Sequence, residues 1–151
     1  MMLSEWLVQV GAAYAGAVGF AMFFNVQPVR LFWAGLGGFL GWAVYLALES
    51  CFPSPVVRYF LAAVCFTLYS DPLARFTKTP TTVYLVPAAI PMVPGASLYR
   101  SMRYAVAGQW QEFSHQILYT LLLASAIAAG IVFGMTIIHV VRNVLGRLRN
   151  V

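Results

Sequence analysis

Five long apolar segments, separated by short polar or proline-containing turns, dominate the chain. Each approaches or exceeds the roughly 20 residues that a helix needs to cross a bilayer. The pattern predicts an all-α fold, a polytopic membrane helical bundle of about five transmembrane helices, in a single domain over residues 1–151. The predicted spans are 6–24, 31–48, 55–76, 80–103 and 112–141.

The prolines of the fourth segment oppose a continuous helix. Pro87, Pro91 and Pro94 stand within it, and Gly95 follows at once. Each interior proline removes a backbone donor and clashes with the carbonyl four residues earlier, which costs roughly 3 kcal/mol or more. Because lipid cannot satisfy freed carbonyls, broken backbone at membrane depth must pack on protein or line a wet cavity. We therefore expect a discontinuous helix of the kind that forms transporter sites.

Turn residues predict where the third and fourth helices begin and end. Ser54–Pro55 is typical of an N-cap followed by the first helical position. Asp71–Pro72 predicts an interruption of the third helix, which continues as a polar turn to residue 76. Thr79–Pro80 repeats the cap-and-proline signal and opens the fourth segment.

Small residues four positions apart predict the faces on which the helices pack. Gly37 and Gly41 form such a pair in the second span, and Gly130 and Gly134 form one in the last span. The first span carries two further pairs, which are Ala12 with Gly16 and Ala15 with Gly19.

The composition excludes a soluble domain. The chain is 62% apolar and 9% charged, whereas soluble domains average about 25% charged residues. The net charge of +5 arises from basic residues scattered at the ends of the apolar segments, so we expect a lipid bilayer around the chain and no nucleic-acid partner.

The basic residues also predict an orientation. With five spans, six of the nine basic residues lie on one side of the membrane and three on the other. By the positive-inside rule, this distribution places the N-terminus outside and the C-terminus inside. A re-entrant fourth segment would change the split to five against four, which gives no orientation.

The residues that bear chemistry predict neither an enzyme nor a cofactor. Cys51 and Cys65 lie at different depths, so we expect no disulfide. Glu112 and His115 occur as a single E-x-x-H pair in an interfacial stretch, and we assign no metal to them. The chain has no phosphate-binding loop and no nucleophile elbow.

The half-helix after the break is the candidate substrate site. Its positive N-terminal end, near Gly95, and the Ser97 hydroxyl are suited to a carboxylate. Arg100 and Arg103 follow one and two turns later. The substrate-path residues are therefore Pro87, Pro91, Pro94, Gly95, Ser97, Arg100 and Arg103. In the alternative interpretation the prolines only kink a packed helix, and the arginines anchor it at the interface.

Two other charged positions have competing interpretations. Asp71 is a candidate for proton coupling, although Asp-Pro is also an ordinary helix terminus. Arg58 stands in the first turn of the third helix, where the helix dipole disfavours a cation. It is therefore expected to snorkel to the headgroups or to pair with Glu49.

Two stretches, GFAMFFNVQPVR (19–30) and VPAAIPMVPGASLYRSM (86–102), resemble the small membrane subunit of the bacterial threonine/serine exporter family, closest to the succinate transporter small subunit. The proline motif is the most specific part of this resemblance. NVQPVR departs from the expected order, in which the proline directly follows NV.

The resemblance implies a subunit of a secondary exporter in the bacterial inner membrane. The substrate would be a small carboxylate, either a succinate-type dicarboxylate or threonine and serine. It also implies a second, larger membrane subunit as partner and leaves room for a higher oligomer. The alternatives are a structural subunit that stabilises a transporting partner, and a channel-like pore.

Overall fold

A computed structural model describes residues 3–149, and the predicted all-α helical bundle is confirmed. Four of the described helices are long and apolar enough to cross a membrane, and a bent pair of shorter helices brings the number of spans to as many as five. The helices are α1 (Leu3–Phe23), α2 (Pro28–Ala47), α3 (Pro55–Phe76), α4 (Thr82–Ala89), a short 3-10 helix (Ile90–Met92), α5 (Gly95–Val106) and α6 (Trp110–Arg149). The side chains of Arg147 and Arg149 lie outside the described part.

Helix α2 is central because its glycines let three other helices approach its backbone. A methyl group on Gly38 would lie 2.6 Å from an alanine Cβ of α1. One on Gly37 would lie 2.7 Å from the Cβ of Ala88 in α4, and one on Gly41 would lie 3.1 Å from the ring of Phe66 in α3. Such distances leave little or no room for a side chain, so these glycines set the separation of the helices.

Glycines also determine the contact between α3 and α6. A methyl group on Gly130 would lie 2.5 Å from the carbonyl oxygen of Phe60, and one on Gly134 would lie 3.0 Å from the Cβ of Thr67. Since the later residue of α6 meets the later residue of α3, the two helices run in the same direction.

The first helix packs through a different face from the one expected. A methyl group on Gly16 or Gly19 would meet no atom within 4 Å, and both glycines are exposed. The buried face is formed instead by Ala13, Ala17 and Ala21. Small residues recur on several faces of α1, and the neighbouring glycines of α2 select this one. The small residues that were expected to pack are all exposed, namely Ala12, Ala15, Gly16 and Gly19.

Two helix boundaries differ from those predicted. Helix α3 is not interrupted at Asp71–Pro72 but continues to Phe76. Pro72 lies inside the helix without ending it, and the Thr77 hydroxyl closes the last turn by donating to the carbonyl of residue 73 at 2.9 Å. Helix α4 begins at Thr82, later than Thr79–Pro80 implied.

The fourth segment is broken where its prolines lie. Helix α4 ends at Ala89, the 3-10 turn Ile90–Met92 follows, and Val93 is extended. Helix α5 then begins at Gly95 with a bend of 52° between the two parts. Met92 is fully buried, whereas Val93, Gly95 and Ala96 are exposed. The break therefore starts inside the bundle and opens toward its surface.

The bundle has two distinct ends. We call the end with the connection 48–54 and the break 93–97 the cavity end, and the end with the turns 24–27 and 77–81 the basic end. At the basic end, Thr81 donates a hydrogen bond of 3.0 Å to Asp71, near the C-terminus of α3. The fourth segment therefore starts beside the end of α3 and reaches the other end of the bundle at its break.

Candidate functional site

A cavity of ≈ 230 Å³ is found where the break faces α2, α3 and α6. Aromatic rings form one wall and the broken backbone forms the other. The lining residues are Trp42, Tyr45, Pro55, Tyr59, Pro91, Val93, Pro94, Gly95, Ala96, Ser97, Arg100, Tyr119 and Leu123.

The aromatic wall is a connected group of rings. Trp42 and Tyr45 have centroids 5.2 Å apart, and Tyr45 and Tyr59 have centroids 4.8 Å apart. The indole of Trp42 donates to the side-chain oxygen of Gln9 at 3.3 Å, which links this wall to α1. Such rings exclude water from a ligand while their polar atoms remain available for hydrogen bonds.

The backbone wall presents the N-terminus of α5 to the cavity. Pro94 is the N-cap residue, and its carbonyl accepts a 3.0 Å bond from the backbone N–H of Leu98. A methyl group on Gly95 would meet no atom within 4 Å, so the first turn is open on that side. The partial positive charge of a helix N-terminus favours an anion at this wall.

The Ser97 hydroxyl takes part in helix packing through two hydrogen bonds. It accepts a 2.7 Å bond from the Gln116 amide and lies 2.8 Å from the Thr120 hydroxyl. Since Thr120 donates its own proton to the Gln116 carbonyl at 2.8 Å, Ser97 donates to Thr120. Ser97 therefore holds α5 against α6 and also lines the cavity.

Gln116 and Thr120 were not predicted as members of the site. The sequence feature that could have identified them is their spacing of four residues at the start of the last apolar run. Gln116 directly precedes this run, which begins at residue 117, and Thr120 lies within it. This spacing places them on one face of α6.

The two candidate arginines occupy different positions. Arg100 lines the cavity, and its Nε donates to the carbonyl of Ala96 at 3.2 Å. Arg103 is exposed and lies over the ring of Tyr104, 5.6 Å from the centroid. Pro87 is buried in α4 and borders a separate depression. The structure thus brings the later substrate-path residues together and leaves Pro87 and Arg103 outside.

Asp71 lies at the basic end, remote from the cavity. Its side chain is buried, with only 6% of the residue exposed. Arg75 binds it through Nε at 2.6 Å, and Thr81 donates to it at 3.0 Å. Twelve residues of α3 separate it from Tyr59, or about 18 Å at the helical rise. Asp71 therefore ties α3 to the start of α4.

A family model described as Threonine/Serine exporter, ThrE, matches residues 9–137, which is most of the chain. The chain belongs to the threonine/serine exporter family. It is accordingly a multi-pass membrane protein of the transporter type. No solved structure matches it.

In this exporter chain the predicted pairing of Arg58 with Glu49 is present. Arg58 Nη1 lies 3.4 Å from the Glu49 carboxylate. The guanidinium also lies over the ring of Tyr45, 4.8 Å from its centroid. Tyr45 lines the cavity whereas Arg58 does not, so the buried cation lies behind this ring.

Other reactive side chains of the exporter chain lie apart from the cavity wall. Cys51 and Cys65 are both free thiols. Glu112 and His115 are exposed on α6, and residues 3–149 contain no group of three or more metal-ligating side chains.

Proposed function

We propose that this chain is one subunit of a secondary exporter that moves small carboxylate metabolites out of the bacterial cell, acting with a second, larger membrane subunit. The metabolites are of the threonine and serine type or succinate-type dicarboxylates. The observation that carries the proposal is the break itself, because it brings a helix N-terminus, Arg100 and an aromatic wall to one cavity.

The size and chemistry of the cavity support a small anionic or zwitterionic substrate. Its volume of ≈ 230 Å³ is below the roughly 300–1,000 Å³ of sites for drug-sized ligands. The positive end of α5 and the guanidinium of Arg100 both attract a carboxylate. The aromatic wall would surround the remaining atoms of the metabolite.

The course of the fourth segment supports a complete crossing of the membrane. It starts next to Asp71 at one end of α3, and its break lines the same cavity as Pro55 and Tyr59 at the other end. A bend of 52° changes the direction of the chain without reversing it, whereas a re-entrant loop must return to the side it entered. We therefore retain five spans.

The charges at the two ends support an inner-membrane orientation with the C-terminus inside. The cavity end carries three basic residues, Arg58, Arg100 and Arg103. The basic end carries four among the described side chains, Arg30, Arg75, Lys78 and Arg142, and the sequence adds Arg147 and Arg149 after them. By the positive-inside rule the basic end would face the cytoplasm and the cavity end the outside.

The test is efflux of threonine and of succinate from cells that contain both subunits. Arg100→Ala removes the cation of the cavity, and Arg103→Ala is the matched control because it removes an exposed cation of the same helix outside the cavity. We expect Arg100→Ala to reduce efflux about tenfold, the effect of losing roughly 1.4 kcal/mol, and Arg103→Ala to retain it. Wild-type efflux in Arg100→Ala, at normal protein level, would show that the site is wrongly assigned.

The alternative function, a structural subunit that stabilises a transporting partner, is favoured by the exposed small-residue face of α1. A methyl group on Gly16 or Gly19 would meet no atom of the described residues within 4 Å, and such a surface suits another membrane helix. In that case Gly16→Leu would abolish copurification with the larger subunit, and no cavity variant would change efflux.

A further inference from the structure

Arg58 is a buried cation whose hydrogen-bonding capacity is largely unused. Its side chain is 10% exposed, and it meets Glu49 through one nitrogen at 3.4 Å, whereas the Glu49 side chain is 52% exposed. Its Nε is buried and has no hydrogen-bond partner among the described residues. An unpaired donor on a buried cation is costly. The ion pair with Glu49 therefore leaves part of the guanidinium available to another acceptor.

The position of Arg58 selects an anion as that acceptor. It stands in the first turn of α3, which begins at Pro55, and the N-terminus of a helix favours negative charge. Arginine presents its donors as a planar fork that fits both oxygens of a carboxylate. Glu49 uses one arm of this fork, and Nε is the free donor.

This anion site is continuous with the cavity through one ring. The guanidinium lies 4.8 Å from the centroid of Tyr45, and Tyr45 lines the cavity together with Pro55 and Tyr59. These last two residues flank Arg58 along α3. Rotation of the Tyr45 side chain would therefore bring a metabolite in the cavity into reach of Arg58.

We propose that Arg58 binds the carboxylate of the exported metabolite, and that Glu49 replaces this carboxylate on Arg58 when the metabolite leaves. The class of ligand rests on the proposed function. The ring of Tyr45 separates Arg58 from the cavity. The carboxylate therefore passes from the cavity wall at Arg100 to Arg58 when this ring turns. Glu49, which is half-exposed at the same end of the bundle, acts as a competing carboxylate within the chain.

The test measures binding of radiolabelled succinate and threonine to the full-length chain copurified with its larger subunit in detergent. Glu49→Gln removes the competitor, and Arg58→Lys retains the charge but lacks the fork. Glu112→Gln is the matched control, since it neutralises an exposed glutamate at the same end. We expect Glu49→Gln to lower the Kd about threefold or more, Arg58→Lys to raise it at least tenfold, and Glu112→Gln to leave it unchanged.

Wild-type Kd values in both Glu49→Gln and Arg58→Lys would overturn the proposal and leave Arg58 with a structural role. Loss of the larger subunit from Arg58→Lys, with Kd unchanged in Glu49→Gln, would also overturn it, because Arg58 would then bind a carboxylate of the partner. Should Arg58→Lys fail to fold, the Kd of Glu49→Gln decides alone.

The failure of this inference can be told from the failure of the proposed function. Metabolite binding that depends on Arg58, in a chain that supports no efflux, would refute the proposed function and support this inference. Efflux that depends on Arg100, with an unchanged Kd in both Glu49→Gln and Arg58→Lys, would refute this inference alone.

Discussion

Gly130→Ala tests the close contact that holds α3 against α6. The new methyl group would lie 2.5 Å from the Phe60 carbonyl oxygen and 2.7 Å from the Cβ of Ala63. Carbon and carbonyl oxygen atoms in neighbouring helices normally approach to roughly 3.3 Å. The two helices must therefore separate by about 0.8 Å at this point. Overpacking of this kind costs about 1–3 kcal/mol.

Gly11→Ala is the matched control for this prediction. Its methyl group would meet no atom within 4 Å, and it also lies within a long helix, α1. Both substitutions gain the same helix propensity of about 1 kcal/mol, which cancels when the two variants are compared. We expect Gly130→Ala to be less stable than Gly11→Ala by about 1–3 kcal/mol in detergent unfolding followed by circular dichroism. Equal stability of the two variants would refute the packing argument.

Two further substitutions test the cavity and the basic end. Gly95→Leu is expected to fold normally, because its Cβ enters open space, and to reduce efflux at least tenfold by filling the ≈ 230 Å³ cavity. Gly11→Leu is the control. Wild-type efflux in Gly95→Leu at equal protein level would place the substrate path elsewhere. Asp71→Asn is expected to lower the melting temperature, because the charge opposite Arg75 is lost, and to leave the KM for efflux unchanged. If Asp71 is the coupling acid for which the sequence makes it a candidate, the same variant also loses the response of efflux to a proton gradient. A retained response would contradict that role.

The architecture was predictable because its signals are local. Runs of apolar residues give the helices, and three prolines before Gly95 give the position of the break. The packing roles of Gly37 and Gly130 were predictable because each is followed four residues later, on the same helix, by another glycine. These features depend on neighbours in sequence, so a single chain is enough to see them.

The site was less predictable because it depends on contacts between distant segments. Ser97 is bound by Gln116 and Thr120 across the turn between α5 and α6, and no local pattern pairs them. Arg100 and Arg103 are three residues apart, so sequence places them on neighbouring parts of one helix surface. Only the bend before α5 determines that Arg100 faces the cavity.

We propose above all that the break lines the path of the substrate. The most direct test is the reactivity of Ala96→Cys, in a chain with Cys51 and Cys65 replaced, toward a membrane-impermeant thiol reagent. Ala88→Cys is the control, because Ala88 is fully buried against α2. With the proposed larger subunit present, we predict that Ala96→Cys reacts, that threonine or succinate slows this reaction, and that Ala88→Cys stays unreactive. Labelling of Ala96→Cys that neither metabolite changes, or that never occurs, would contradict the proposal.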